Sequence, residues 1–463
     1  AISAFESQPQ VNDTGDGLPG AQKLRAVATL ILGSAIATLD TTIATTALPT
    51  IAADLHASPE TSIWIINAYQ LAMVATLLPL AACGDIVGHR RVYTGGLVLF
   101  TLASLACGLA SSLPMLIAAR TLQGIGAAGI LSVTSALIRF IYPHSQIGRA
   151  QGLNALIVAV FFAIGPLVAS GVLTVATWPW LFLINIPLGA FAVVLAFRAL
   201  PRTTGERPSH SFDGTSGILV AGMFGLLILG LGDAAHQAGL VRVLCEWGAS
   251  LVCFGALLYR QRRHPAPLLP VDLCRRPLFA LSVLTSIFAY AAQGLAFVSL
   301  PFLFETVMGR SQTETGLLLT PWPVMVAVVA PIAGRLSERR SVAVLGGVGL
   351  LLLCLGMALL AFLPDQATFP DIAWRLAICG AGFGLFQSPN LKALTASVPR
   401  ERAGAASGII PTARLLGQAL GTALVAACFT VAGEAGPMTA LWLGSAFSAL
   451  ACATSLMRYR KEQ

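Results

Sequence analysis

The feature that most constrains this chain is a recurrence: apolar stretches of bilayer length, divided by short polar turns, follow one another along almost the whole sequence. They cover about 24–49, 61–83, 92–111, 114–139, 149–174, 179–199, 214–232, 241–260, 278–304, 316–334, 341–363, 371–391, 403–431 and 437–457, fourteen in all. About 20 apolar residues cross the hydrocarbon core as a helix. Lipid offers no partner for backbone polar groups, so each stretch is expected to satisfy its own by forming a helix. With 56% hydrophobic and 10% charged residues and a mean hydropathy of +0.80, the chain lies far from a soluble domain, where about a quarter of residues are charged. The expected fold class is an all-α polytopic membrane protein with 14 transmembrane helices.

An even number of spans puts both termini on one side, and the Lys/Arg distribution tests this independently. Of the 28 bases, 23 fall in the tails and the connections on that side, Arg242, Arg310 and Arg375 fall opposite, and Arg120 and Arg414 lie within spans. A miscounted span would scramble the bias beyond the error. Both termini are therefore expected in the cytoplasm, with residues 1–23 a disordered cytoplasmic tail lacking the order of parts of a signal peptide.

The net charge of +8 does not indicate nucleic acid, because the bases are scattered between apolar runs rather than gathered on one face. The nine cysteines form no C-x-x-C pair and have no histidine at ligand spacing, so neither a disulfide framework nor a metal site is expected. Gly124-x-Gly126-x-x-Gly129 matches the dinucleotide fingerprint letter for letter, but it stands mid-span with no strand before it, where glycines serve close helix packing. No Walker block is present. No cofactor is expected, and energy is expected from an ion gradient.

Two charges inside spans carry the chemistry. Asp40 lies in GSAIATLDTTIATTALP (Gly33 to Pro49), roughly 22 Å along the first helix from Arg25 and past the midplane. A carboxylate at that depth needs a partner or an aqueous cavity, and proteins that keep one use it to bind a cation or a proton. The plainer reading is a packing residue satisfied by neighbouring hydroxyls. Arg120 cannot lose its proton and needs an acceptor. The plainer reading is a structural clamp on backbone carbonyls. Glu305, at the outer end of span 9, is a second ionisable candidate or a solvated helix end. Polar residues within other spans are candidates for a substrate-cavity wall: Asn67, Tyr69, Gln70, Gln293, Trp322, Gln387, Asn390, Arg414 and Gln418.

The chain repeats internally. ACGDIVGHRR after span 2 is answered by AGRLSERR after span 10, Arg120-x-x-x-Gly124-x-Gly126 by Arg375-x-x-x-x-Gly380-x-Gly382, and Arg149-Ala-x-Gly152 by Arg402-Ala-Gly404. The expected organisation is a six-helix half at 24–200, two inserted helices with cytoplasmic linkers at 201–277, and a six-helix half at 278–463. Two parallel halves around a midplane site are the architecture of an alternating-access carrier.

LDTTIATTALP, GDIVGHRR, RTLQGIGAAG, IGPLVASG and WLFLINIPLG, in this order and spacing, resemble the signature blocks of the major facilitator superfamily, and specifically of its fourteen-span drug:proton antiporter branch. LLPVDL, SLPF, TGLLLTPWP, CGAGFGLFQSPN and TARLLGQ resemble a type of transporter found in enteric bacteria. The resemblance implies a major facilitator fold, proton-driven export, a role for Arg120 as the base that polarises the proton path and a gating role for Asp85, Gly88, Arg90 and Arg91 in the turn after span 2, with Gly165 and Pro166 the antiporter block of span 5. Departures are Ala81 where the family has glycine, Ile86 where it has a base, and Ala169-Ser170 where antiporters carry a glycine pair.

Function is therefore expected to be proton-coupled efflux of small amphipathic or cationic compounds by a monomer, contacting only lipid and small-molecule substrate, in the bacterial cytoplasmic (inner) membrane. Proton-coupled import of a nutrient is the alternative, and an anion paired with Arg120 or Arg414 is the alternative to a cationic cargo. A membrane sensor or enzyme is disfavoured, since no nucleophile with a base, metal cluster or soluble catalytic domain is in evidence.

Overall fold

The structure, a computed structural model, describes residues 17–143, 146–201, 213–235, 239–261, 273, 275–364, 366–397 and 403–462. Among these every regular element is helical and no strand occurs. The helices of fifteen residues or more are α1 (Gly20–Thr46), α2 (Trp64–Val87), α3 (His89–Gly108), α4 (Leu113–Ile141), α5 (Ile147–Val175), α6 (Asn185–Ala199), α7 (Gly214–Ala235), α8 (Leu240–Gln261), α9 (Pro277–Phe302), α10 (Pro321–Leu336), α11 (Val342–Ala361), α12 (Phe369–Ala396), α13 (Ala403–Ala432) and α14 (Gly436–Glu462).

Twelve runs are long and apolar enough to cross a membrane, so the expected fourteen spans are not confirmed by length and composition. There are two reasons. The run Gly408–Tyr459 takes in parts of both α13 and α14, and α12 is not among the twelve. Arg375, Gln387, Asn390 and Lys392, with three glycines between them, dilute the apolarity of α12.

The helices pack in a repeating pattern. α1 packs on α5 and α6, α2 on α4, and α3 on α4 and α6. Eight helices further on, α9 packs on α13 and α14, α10 on α12, and α11 on α12 and α14. The two sets meet through α2 against α13 and through α5 against α10 and the short helix Gln312–Leu319 that precedes it. α7 and α8 form an outlying pair, α7 resting on α2 and α13. Helix association in lipid relies on close packing of small residues, and the glycines show it. A Cβ on Gly124 would lie 2.3 Å from the Tyr69 carbonyl oxygen, and one on Gly380 would lie 2.2 Å from that of Trp322.

Several expectations change locally. The segment expected as a disordered tail contributes structure from residue 17. Leu18 is buried and its N–H donates to the Ile141 carbonyl at 3.1 Å, and α1 begins at Gly20. Residues 1–16 and most of the linker between α8 and α9 lie outside the described residues. Span 10 is broken at Thr320, just before Pro321, which has no N–H to continue the ladder. Arg458, counted among the cytoplasmic bases, is fully buried: it donates to Ser282 Oγ at 3.0 Å, Asn390 Oδ1 at 2.6 Å and Ser455 Oγ at 2.6 Å. Asp213 caps α7 through the Ser216 N–H and receives Arg260 from α8 at 2.8 Å, which holds its carboxyl well below the usual range.

Candidate functional site

The threonines that make the first span distinctive are spent on their own helix. Thr38, Thr41, Thr45 and Thr46 each donate to the carbonyl four residues back, at 2.7 to 3.0 Å. They leave Asp40 to be satisfied by other helices. Arg120 of α4 donates through Nη1 to Asp40 Oδ2 at 2.6 Å, while Gln123 of the same helix and Asn185 at the start of α6 both donate to Oδ1 at 2.8 Å. Arg120 and Gln123 are one turn apart, so they present to one face. The Arg120 Nη1 is shared with Gln123 Oε1 at 2.6 Å, and Arg120 Nε donates to the Ile65 carbonyl at 3.2 Å. Ser104 of α3 accepts from Gln123 at 2.8 Å.

This is a buried ion pair, 1% exposed at Asp40 and 0% at Arg120. Coulomb attraction offsets the desolvation of both ions only because three donors meet the carboxylate. The guanidinium is not saturated, since its Nη2 has no hydrogen-bond partner, and its Cζ lies over the Tyr69 ring, 4.1 Å from the centroid. Arg120 thus does more than clamp carbonyls, and the reading of Asp40 as a residue satisfied by hydroxyls does not hold. Gln123 and Asn185 were not singled out from sequence. Gln123 had a signal in its one-turn spacing from Arg120, whereas Asn185 reaches the site only through the packing of α6 on α1.

Tyr69 also borders a cavity of about 30 Å³, room for a water molecule or two and far below the roughly 300 Å³ of a ligand site. Its walls are Ala37, Thr38 and Thr41 of α1, Tyr69, Gln70 and Met73 of α2, Leu131 of α4, Phe162 of α5, and Arg414, Leu415 and Gln418 of α13. Of the nine expected wall residues, Tyr69, Gln70, Arg414 and Gln418 line it. Gln293 stands behind, accepting from Gln418 at 3.1 Å, and Gln387 donates to the Tyr290 hydroxyl at 3.2 Å. Asn390 belongs to the Arg458 cluster, Trp322 is buried in an aromatic core, and Asn67 is buried in α2. Asp40 is not part of the wall, because it is turned onto Arg120.

The turn after α2, expected to gate, makes the contacts described for Asp85, Arg90 and Arg91 within the first set of helices. Gly88 has φ +101°, a conformation that favours glycine. Asp85, 71% exposed, pairs with His89 at 3.2 Å rather than with a base on another helix, and Arg90 donates to the Phe197 carbonyl at the end of α6. Arg91 lies at the 3.5 Å limit of a bond to Val87 O. Arg375 does not repeat Arg120: it pairs with Asp371 one turn away at 3.1 Å, and the residue four before Gly380 is the buried Leu376.

At the opposite end of α2 and α5 the two sets are tied together. Gln312 donates to Thr50 at 2.6 Å, and Thr50 to Glu305 at 3.4 Å. Ser170 donates to the Gln312 carbonyl at 2.8 Å. Gly165 and Pro166 explain how α5 fits there. A Cβ on Gly165 would lie 1.8 Å from Thr42 Oγ1, while the Pro166 carbonyl faces Gly316.

The profile of the Major Facilitator Superfamily matches residues 30–422. The uncharacterised transporter YebQ of Escherichia coli (strain K12) is 48% identical over 96% of this chain and 97% of its own length. The multidrug resistance protein Stp of Mycobacterium tuberculosis (strain CDC 1551 / Oshkosh) is 31% identical over 89% of this chain and 75% of its own. Among solved structures, a bacterial homologue of the human lysosomal transporter Spinster, inward-facing and unoccupied, superposes with a TM-score of 0.68 over 96% of this chain and 98% of that one. Its 17% identity makes this a likeness of fold.

Proposed function

Because the chain belongs to the major facilitator superfamily, a class of membrane transporters and not of enzymes, we propose that it exports small amphipathic compounds across the bacterial inner membrane in exchange for protons. The observation that carries this reading is the buried Asp40–Arg120 pair, one aromatic ring away from a cavity walled by helices of both sets. A proton taken up by Asp40 removes the charge that balances Arg120. The guanidinium, already one donor short, then bears differently on Tyr69 and so on the cavity wall. Two six-helix halves, α1 to α6 and α9 to α14, rock about this cavity; Stp is a multidrug resistance protein, and resistance is what outward transport of a compound would produce, which supports export as the direction.

The test is pH-gradient-driven movement of test compounds in proteoliposomes at matched protein content. Asp40→Asn, a neutral mimic of similar size, is expected to lose gradient-driven accumulation, and Asp40→Glu to retain part of it. Accumulation by Asp40→Asn equal to the parent's would move the coupling site elsewhere, with Glu305 next to be replaced.

Fourteen spans with both termini in the cytoplasm form part of the proposal. It is supported by the distribution of bases and by the turn at Gly433–Ala435 that divides the 52-residue apolar run. Single cysteines at Ser111, Thr368 and Glu434, in a background without native cysteines, are expected to react with an impermeant thiol reagent from outside. Cysteines at His89, Glu338 and Ser397 are not. Outside labelling at Ser397 would mean that α12 does not cross.

A further inference from the structure

The charge that faces the centre of this molecule is a cation. Arg414 reaches from α13 into the cavity, half-buried, and its Nε has no hydrogen-bond partner. Its companion is the Tyr290 ring, 5.9 Å from the guanidinium carbon. Among the described residues no carboxylate lies within the 4.0 Å of an ion pair with it. The acid of the facing helix, Asp40, is held by Arg120, Gln123 and Asn185, and Glu305 is engaged with Thr50.

A guanidinium keeps its charge in any protein environment, and within a membrane it is costly without an opposite charge. A carrier that places one against its central cavity has a site complementary to an arriving anion, which it can grip through two parallel N–H donors. Gln70, 5% exposed, brings an unpartnered amide oxygen to the same cavity, an acceptor for an N–H or O–H on the body of a compound and not for its anionic group. The remainder of the wall, Met73, Leu131 and Phe162, is apolar.

We propose that the compound carried is a small organic anion, its carboxylate, sulfonate or phosphate group paired with Arg414 and its aromatic or alicyclic body against Met73, Leu131 and Phe162. This rests on the transport reading above and replaces the expectation of a cationic cargo, since a cation would bring like charge against Arg414. The present cavity is too small for such a compound, so it binds when α13 parts from α1 and α2. Its charge then draws α13 back across the cavity. Carrying an anion outward while a proton moves inward transfers positive charge into the cell in both movements, so an inside-negative potential accelerates export. One-for-one exchange of a monovalent cation for a proton would be indifferent to potential.

The probes are 1-naphthoate and naphthalene-1-sulfonate, their uncharged partners 1-naphthamide and naphthalene-1-sulfonamide, and cationic 1-naphthylmethylammonium. Thermal stabilisation of the purified full chain is measured for the parent, Arg414→Lys and Arg414→Gln. pH-gradient-driven movement of every probe is followed in proteoliposomes of the same proteins. The expected result is stabilisation of the parent by the two anions and not by the amides. Apparent affinity falls about tenfold or more in Arg414→Gln, the size of a lost buried ion pair, and Arg414→Lys keeps part of it.

The proposal is overturned if neither anion stabilises the parent, if the ammonium does so as well as 1-naphthoate, or if Arg414→Gln binds the anions unchanged. The two readings fail separately. Gradient-driven movement of the ammonium, intact in Arg414→Gln, leaves a proton-coupled transporter without an anion site. Arg414-dependent anion binding with no gradient-driven movement of any probe leaves the anion site without proton coupling.

Discussion

Gly124 and Gly380 hold matching places in the two sets of helices, each letting its own helix close on a backbone carbonyl of the neighbour, at Tyr69 and at Trp322. What covers those two aromatic residues differs. Tyr69 lies under Arg120, which is tied to Asp40 from α1. Trp322 lies against Phe297 from α9, with ring centroids 5.2 Å apart, and the turn before Gly380 supplies Leu376 instead of a base. The packing needs only small residues at the crossing points, so it can repeat while the chemistry inside it diverges. One half holds a buried charge pair, and the other holds an aromatic core in the corresponding place.

The largest effect that would break this contrast concerns the ion pair. Arg120→Met leaves Asp40 buried without its counter-charge and is expected to destabilise the purified protein by about 3–5 kcal/mol. The double variant Asp40→Leu/Arg120→Met removes both charges and should recover most of that stability. Thermal unfolding in one detergent reads both. pH-driven transport is expected to stay lost in the double variant, and its return would reduce the pair to a structural feature.

A smaller and symmetrical effect is expected at the glycines. Gly124→Ala and Gly380→Ala each force a methyl group against backbone and should cost about 1–3 kcal/mol, alike in the two halves. A large difference between them in the same unfolding assay would mean that the halves do not share their packing. The least effect is expected at the covered ring itself. The Tyr69 hydroxyl donates to the Ala37 carbonyl at a long 3.4 Å, so Tyr69→Phe should change stability by less than about 1 kcal/mol. It keeps the face on which Arg120 rests, and gradient-driven transport should be within a few-fold of the parent's. A loss as large as that of Asp40→Asn would make the hydroxyl part of the proton route.

The helices were legible because lipid leaves the backbone no other partner, and helix boundaries followed from where apolar runs meet charge. The split of the tenth span at Thr320 and the mixed character of α12 were less visible, because a proline or a few polar residues change a helix locally without ending the apolar run. At the site, Asp40 and Arg120 could each be found from sequence as a charge in the wrong solvent. That they belong to each other could not, since 80 residues separate them. The same limit hid Asn185, and it made Arg375 look like a second Arg120 through a spacing that is one residue too long.

By itself, then, the sequence determined that this chain is helical and membrane-spanning, and that it carries buried charges needing partners. These follow from hydropathy and from the cost of an unpaired polar group, both of which are properties of single residues and short runs. Tertiary structure alone decided which charges are spent and which remain. Asp40 is consumed by Arg120, Gln123 and Asn185 from two other helices, while Arg414 is left facing the cavity. Pairing depends on distances of a few ångströms between helices remote in sequence, and these are set by where glycines let backbones touch.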